Sequence, residues 1–250
     1  MMTITQIAIV VGVFLVVVVT VQVIHKYWPY KKRKEHNDVA GFIFAAVAVL
    51  YAVLLAFVVI VAWESLASAQ TITYTEADQL GDIYYLSRSL PQPQSAAIDR
   101  LTVEYAHVVV DDEWPLMGMG ESSPRAQALV YQIRSDVFGI VPRSGQQQAL
   151  YEQDLASVDA FAAARRDRLV TMNEAIPGPL WVVLIVGAVI TVGFCLLFGL
   201  ESKTAYTGMV AALAVLITLS LILVQNMQYP YAGTIHIGPD AFEVFLTYHD

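Results

Sequence analysis

The sequence predicts an all-α membrane protein: four transmembrane helices, with a mostly helical extramembrane domain of about four helices inserted between spans 2 and 3. Three observations carry this. The 250 residues are 57% hydrophobic and only 14% charged, too apolar for an ordinary water-soluble domain. Uncharged apolar runs recur, each long enough to cross a hydrocarbon core of about 30 Å as a helix. Between the second and third runs lies a polar stretch, residues 64–178, whose apolar side chains keep helical spacing.

The first run, Ile7–Ile24, is rich in Val and Ile, which in water would favour a strand. In lipid an unbroken run must satisfy its own backbone, and a helix does that. No basic segment precedes it and no small-x-small cleavage site comes after it, so it is expected to be a retained span and not a signal peptide. Tyr27-Trp28-Pro29-Tyr30 then has the character of an interfacial aromatic belt with a Pro turn, followed by the basic run Lys31-Lys32-Arg33-Lys34.

The second run, Gly41–Trp63, has no charge and no Pro, and helical spacing continues through Leu66, Thr73, Ala77, Leu80 and Ile83/Tyr84 until Pro91. One long helix is expected to leave the membrane and become the first pillar of the extramembrane domain. Gly41, Ala45, Ala48, Ala52 and Ala56 fall on one face of its membrane half, a stripe that lets another helix approach closely. Tyr51 is the one polar group before Trp63 and should face protein or a water-filled lumen.

In the extramembrane domain a second helix is expected from Ser95, as N-cap, to about Trp114, with Ile98, Leu101, Tyr105 and Val108/Val109 in phase. Pro115 to Gly120 is expected to be a loop. A third helix starts at Ser122/Ser123 with Pro124 at its first position and ends near Gly139. The fourth carries Tyr151, Leu155, Val158, Ala162, Arg165, Leu169 and Met172 at alternating steps of four and three, a heptad pattern that needs a long partner. Pro177-Gly178-Pro179 marks re-entry. Leu180–Leu200 is the third span, with Gly187 and Gly193 as packing points, and Gly208–Val224 is the fourth. The predicted divisions are thus 1–63, 64–178, 179–226 and a tail, 227–250. In the tail Thr234–Ile237 resembles a short strand and Asp240 begins a short helix, whose aromatic content implies docking on the extramembrane domain.

Charge is unevenly placed in this chain of net charge −8. Residues 25–38 hold four Lys and one Arg against Glu35 and Asp38, whereas residues 64–178 hold eight Arg, no Lys and sixteen acids. Short basic loops stay in the cytoplasm, so the protein is expected in the inner (plasma) membrane with the domain 64–178 and both termini outside the cytoplasm. Arg165, Arg166 and Arg168 weigh the other way.

Few residues offer chemistry. Asp111-Asp112-Glu113 is the densest acidic cluster and the nearest thing to a divalent-cation site. Adjacent residues on a helix point in different directions, however, and a solvated helix end is the expected reading. No metal and no cofactor is expected. The histidines are scattered: His25 and His36 flank the basic loop, His107 is in the second extramembrane helix, and His236 and His249 are in the tail. None pairs at ligand spacing on one face. Cys195, the single cysteine, allows no disulfide within the chain. Ser122-Ser123 serves as a cap. There is no phosphate loop or dinucleotide fingerprint, and the acidic balance argues against nucleic acid. No ionisable residue sits mid-span, which disfavours a proton-coupled transporter and leaves open a pore with an apolar constriction.

Several motifs in order resemble one family: Gly41-Phe42-Ile43-Phe44 with Leu50-Tyr51-Ala52-Val53-Leu54-Leu55-Ala56-Phe57 and Trp63-Glu64; Glu76-Ala77-Asp78-Gln79-Leu80 followed by Leu90-Pro91; Tyr105-Ala106 with Asp112-Glu113-Trp114-Pro115; and Tyr229-Pro230-Tyr231-Ala232-Gly233 with Ile237-Gly238-Pro239-Asp240-Ala241-Phe242. Together they resemble the bestrophin-like domain family of bacterial membrane proteins, over about residues 40–247. Bestrophins are pentameric anion channels with a long second-helix pore and a large helical cytosolic domain. The resemblance therefore implies a homo-oligomeric ion channel, pentameric and anion-conducting if the likeness carries that far, with Tyr51, Leu55 and Val58 lining the pore and no enzymatic role. Its partners would be its own copies, the lipid bilayer and anions. Two departures stand out: the basic loop argues for an outside domain, and the bestrophin neck motif of clustered aromatics has no match here. The alternative is a non-conducting structural or sensory membrane protein whose helical domain binds a partner or ligand.

Overall fold

A computed structural model describes residues 3–35, 37–173 and 176–249; His36 lies outside them. Among the described residues all regular structure is helical. α1 spans Ile4–Tyr27, opened by a capping box in which the Thr3 hydroxyl accepts from the Gln6 amide and the Gln6 side chain accepts from that of Thr3. A short α2, Tyr30–Lys34, stands where the sequence suggested only a turn and a basic loop. α3 runs unbroken from Asn37 to Ser87, 51 residues. At 1.5 Å per residue that is about 76 Å, more than twice a hydrocarbon core of about 30 Å.

α4, Gln94–Val108, passes directly into a π-helical turn, Val109–Glu113, and then into α5, Trp114–Met117. Three expectations change here. Pro93, not Ser95, stands at the cap of α4, and Ser95 is buried in its first turn. The expected loop from Pro115 begins as one more helical turn, with Pro115 in the first turn of α5, where proline is tolerated. The acidic cluster lies inside the π turn and not at a helix end. α6, Pro124–Phe138, is capped by Ser123, whose hydroxyl accepts from the Ala126 amide. α7 covers Gly145–Thr171, α8 Gly178–Cys195, α9 Lys203–Met227 and α10 Asp240–His249. Thr234–Ile237 is not a strand. Its backbone closes on the chain before it, the Ile237 amide donating to Pro230 O at 2.8 Å, while the Trp114 indole N–H takes Ile237 O at 3.1 Å, so no free strand edge is left to pair.

Among the described residues four helices are long and apolar enough to cross a membrane: α1, α3, α8 and α9. The chain divides into two compact units, Met1–Trp63 with Ala175–Gln228, and Glu64–Glu174 with Tyr229–Asp250; the boundary falls inside α3. In the first unit α1 packs along α9, joining Val17 and Val21 to Tyr206, Val210, Ala211 and Ala214. In the second, Leu80 and Ile83 of α3, Ile98 and Tyr105 of α4, Ile133 of α6, Phe161 of α7 and Phe242 of α10 share one fully enclosed core. Each such side chain contributes about 1.5–3 kcal/mol. The tail is therefore part of this core, with Tyr231 donating to Ala69 O at 3.2 Å.

Candidate functional site

The membrane part of α3 has two unlike faces. Tyr51 and Val58, seven residues apart, are 7% and 4% exposed and are covered by their own chain. Val58 packs with Leu184 of α8 and Val224 of α9, and Leu55 leans on the same cluster. The Tyr51 ring lies against Gly187, where an added Cβ would come within 2.6 Å of Tyr51 Cδ2. Gly187 is thus a packing point, whereas a Cβ on Gly193 would meet nothing within 4 Å. Of the three residues the sequence singles out for a lumen, Tyr51 and Val58 are buried within the chain itself and Leu55 is half-buried. The physical reason is local: a glycine on α8 lets the aromatic ring of α3 sink into the helix pair.

The opposite face of α3 carries Phe42, Val49, Val53 and Ile60, all exposed, with Val49 at 62%. The small-residue stripe divides between the two. Gly41 lies near Phe198 and Ala48 is half-buried, but Ala45, Ala52 and Ala56 remain open beside the exposed face. Gly187→Ala is expected to lower the thermal midpoint of the detergent-solubilised protein by the equivalent of about 1–3 kcal/mol of overpacking. The pair Gly187→Ala with Tyr51→Leu should recover much of that loss.

The unit Glu64–Glu174 with Tyr229–Asp250 contains a buried charge network that composition alone could not locate. Glu76 of α3, Glu113 of the π turn, and Arg165 and Arg168 of α7 are all at most 2% exposed. Arg168 donates from Nε to Glu76 Oε2 at 2.6 Å, and from Nη2 both to Glu76 Oε1 at 2.9 Å and to Glu113 Oε2 at 2.7 Å. Arg165 donates to Glu113 Oε1 at 2.5 Å and to Gln127 Oε1 of α6 at 2.5 Å. The Tyr105 hydroxyl donates to Glu76 Oε1 at 2.5 Å, and the Ser123 amide to Glu113 Oε1 at 3.2 Å. Trp114 and Phe242 offer their rings to the Arg168 guanidinium at 5.2 and 5.8 Å. Burial alone would lower the pKa of Arg168, but the charge and hydrogen bonds of Glu76 hold it well above its ordinary value. Burial, with the Glu76 charge adding to it, pushes the Tyr105 phenol well up. The carboxylates and guanidiniums balance, so the cluster ties α3, α4, the π turn, α6 and α7 together without stranding net charge.

The π turn is what turns Glu113 inward. Its extra residue shifts the register, so that Glu113 meets the arginines while Asp112 accepts from the Ser123 hydroxyl. Glu113 is therefore a buried partner of the two arginines and not part of a solvated helix end, while Asp111 and Asp112 are exposed. Among the described residues no group of three or more His, Cys, Asp or Glu is placed to hold a metal. His25 meets Arg33, and His249 stacks on Tyr84 at 4.5 Å. Cys195 is buried, and its carbonyl accepts from the Tyr206 hydroxyl at 2.9 Å.

Sequence reasoning also missed Arg33. It was one of a basic run with the look of a solvated segment, yet it is fully enclosed. Its Nη1 donates to Leu196 O at 3.2 Å and to the Tyr206 hydroxyl at 3.1 Å, and its Nη2 meets His25 Nδ1 at 3.3 Å. Nearby, Asn37 bridges both backbone groups of Gly199, at 3.0 and 2.9 Å, and a Cβ there would come within 2.5 Å of the backbone of Tyr30 and Lys34. Only glycine fits at that crossing. The signal was the glycine itself, but nothing in the sequence pairs it with a segment so far upstream.

A family model, the Bestrophin-like domain, matches residues 11–242. The chain belongs to the bestrophin-like family. The fold agrees. A crystal structure of a bacterial bestrophin homologue from Klebsiella pneumoniae is similar with a TM-score of 0.69 at 11% identity, covering 94% of this chain and 95% of that one. A single-substitution variant of that homologue is similar with a TM-score of 0.72 at 10% identity, covering 95% and 96%. No curated protein matches the chain. With its family and its apolar helices, this bestrophin-like chain is a membrane protein.

Proposed function

We propose that copies of this chain assemble around an axis into a bestrophin-like ion channel, with the exposed apolar face of α3 walling the conduit. The observation that carries the reading is the division of α3 into a face sealed by its own subunit at Tyr51 and Val58 and a face left open at Phe42, Val49, Val53 and Ile60. Family membership supports it, since bestrophins are oligomeric anion channels. On this reading Ala45, Ala52 and Ala56 let neighbouring copies come close. A lumen walled by Val and Ile gates by dewetting, and its selectivity comes from elsewhere in the conduit.

The burial of Arg165 and Arg168 against Glu113 and Glu76 removes those arginines from the charge balance that orients the chain. Lys26, Lys31, Lys32 and Lys34 stay exposed in the basic segment 25–38. This supports a cytoplasmic basic loop and an extramembrane domain outside, in the inner membrane. Purified protein in planar bilayers should pass current in chloride salts, and Val53→Ser should raise the open fraction by wetting the constriction. Tyr51→Phe, on the sealed face, should leave conductance unchanged. Bilayers silent at both polarities for the intact chain and for Val53→Ser would overturn the reading.

A further inference from the structure

We infer that the cleft between the last turn of α1 and the first turn of α9 binds a phosphate group, supplied by the headgroup of an anionic lipid. The cleft has a volume of about 760 Å³ and is lined by Val21, Gln22, His25 and Lys26 on one side and by Lys203, Thr204, Thr207 and Gly208 on the other. Its only charged lining groups are cationic. The first turn of α9 adds the amide N–H groups and positive dipole end of a 25-residue helix.

Behind this lining the positive charge increases. Arg33 is 0% exposed, and among the described residues no carboxylate pairs with it. A buried guanidinium without an anion is costly, and a bound anion relieves that cost. The contact with His25 fixes the ring. Arginine has only donors, so His25 Nδ1 accepts, and the ring proton sits on Nε2. Nε2 is shielded from solvent and has no partner within the chain. His25 thus stands between the cleft and the Arg33 guanidinium, and a phosphate oxygen is an acceptor of the right charge for Lys26 and Lys203, which line it.

The position favours a lipid over a dissolved ion. α1 and α9 are both long and apolar enough to span a membrane, and the cleft joins their ends. Exposed Tyr27 and Trp28 at the same end of α1 have the amphipathic rings that settle at headgroup depth. The lining also includes the apolar Val21 and Gly208, suited to contact with the start of an acyl chain.

The test uses the full chain in nanodiscs of phosphatidylcholine alone or with phosphatidylglycerol, read by native mass spectrometry of retained lipid and by thermal midpoint. The intact chain should retain phosphatidylglycerol and gain stability from it. Lys26→Gln with Lys203→Gln should weaken retention about tenfold or more. Lys31→Gln with Lys32→Gln removes the same charge from the exposed face of α2 and should change retention less than about twofold. Equal losses in the two variants would reduce the effect to general surface charge and overturn the site, as would undiminished retention in the first variant. Inorganic phosphate added to the phosphatidylcholine discs separates the sources. If it stabilises the intact chain as well as phosphatidylglycerol does, and only when Lys26 and Lys203 are present, the phosphate site stands and the lipid as its source falls.

Discussion

Arg168→Met is expected to destabilise the unit Glu64–Glu174 with Tyr229–Asp250 by about 3–5 kcal/mol, among the largest effects any single substitution in this chain should have. The side chain is fully buried and hydrogen-bonds to both Glu76 and Glu113. Its removal leaves Glu76 with the Tyr105 hydroxyl alone, a carboxylate in a closed core with no positive partner. Arg165→Met should cost less, about 1–3 kcal/mol, because Glu113 keeps Arg168 and the Ser123 amide. The double variant Arg168→Met with Glu76→Gln should recover part of the loss, since no charge is then stranded at that end. Thermal unfolding in detergent followed by circular dichroism at one pH measures all three. A change in midpoint for Arg168→Met no larger than for Arg165→Met would contradict this account of the network.

Asp154→Leu is expected to have the opposite sign. Asp154 lies on α7, is 0% exposed, and both its carboxylate oxygens are shielded and without a partner. Burial raises its pKa to about 7 from an ordinary 3.8. Linkage gives the direction of the pH effect. In the unfolded chain the group gives up its proton near its ordinary pKa, while in the folded chain it keeps it to about 7. Folded stability therefore falls as pH rises between those values, and the loss is complete above the upper one. Asp154→Leu should raise the stability by on the order of 2–3 kcal/mol at pH 8 and by little at pH 4. The readout is the difference in thermal midpoint between variant and parent across that range. A gain equal at both ends would mean that the carboxylate is not what costs stability.

Much of this architecture was legible in the residues. α3 declared itself because nothing between Gly41 and Trp63 is charged or a proline, and because the helical spacing beyond Trp63 persists until Pro91 breaks it. Ser123-Pro124 marked a helix start for the reason that it makes one: a hydroxyl acceptor followed by a residue with no amide to lose. The heptad on α7 carried Arg165 as its one charged entry, and in the structure that side chain is buried with Glu113 as its partner.

The features that stayed hidden depend on distance in the chain. Arg168 lies three residues past Arg165 and off the heptad stripe, so it resembled a flanking charge. It turns inward because Glu76, 92 positions away, waits there. Glu76 itself gave a readable warning. It falls beside Thr73 and Ala77 on a buried stripe, and a carboxylate in that place requires a partner. The π turn at Val109–Glu113 has no single-sequence signature, so the register shift that directs Glu113 inward was invisible. Tyr51 was identified as the polar oddity of its span, but two explanations fitted it, a lumen or a protein contact. The Tyr51 ring packs on Gly187, and that pairing is not visible along one chain.

The central claim is that sibling α3 helices gather around an axis with their open faces inward. It is tested most directly by an image of the purified particle down its symmetry axis, at a resolution that separates helices. The account predicts a closed ring of copies with a continuous central lumen, its wall made of α3, Val49 and Val53 towards the axis and Tyr51 turned away from it. Single subunits without neighbours, or a ring whose centre is walled by α1, α8 or α9, would contradict it.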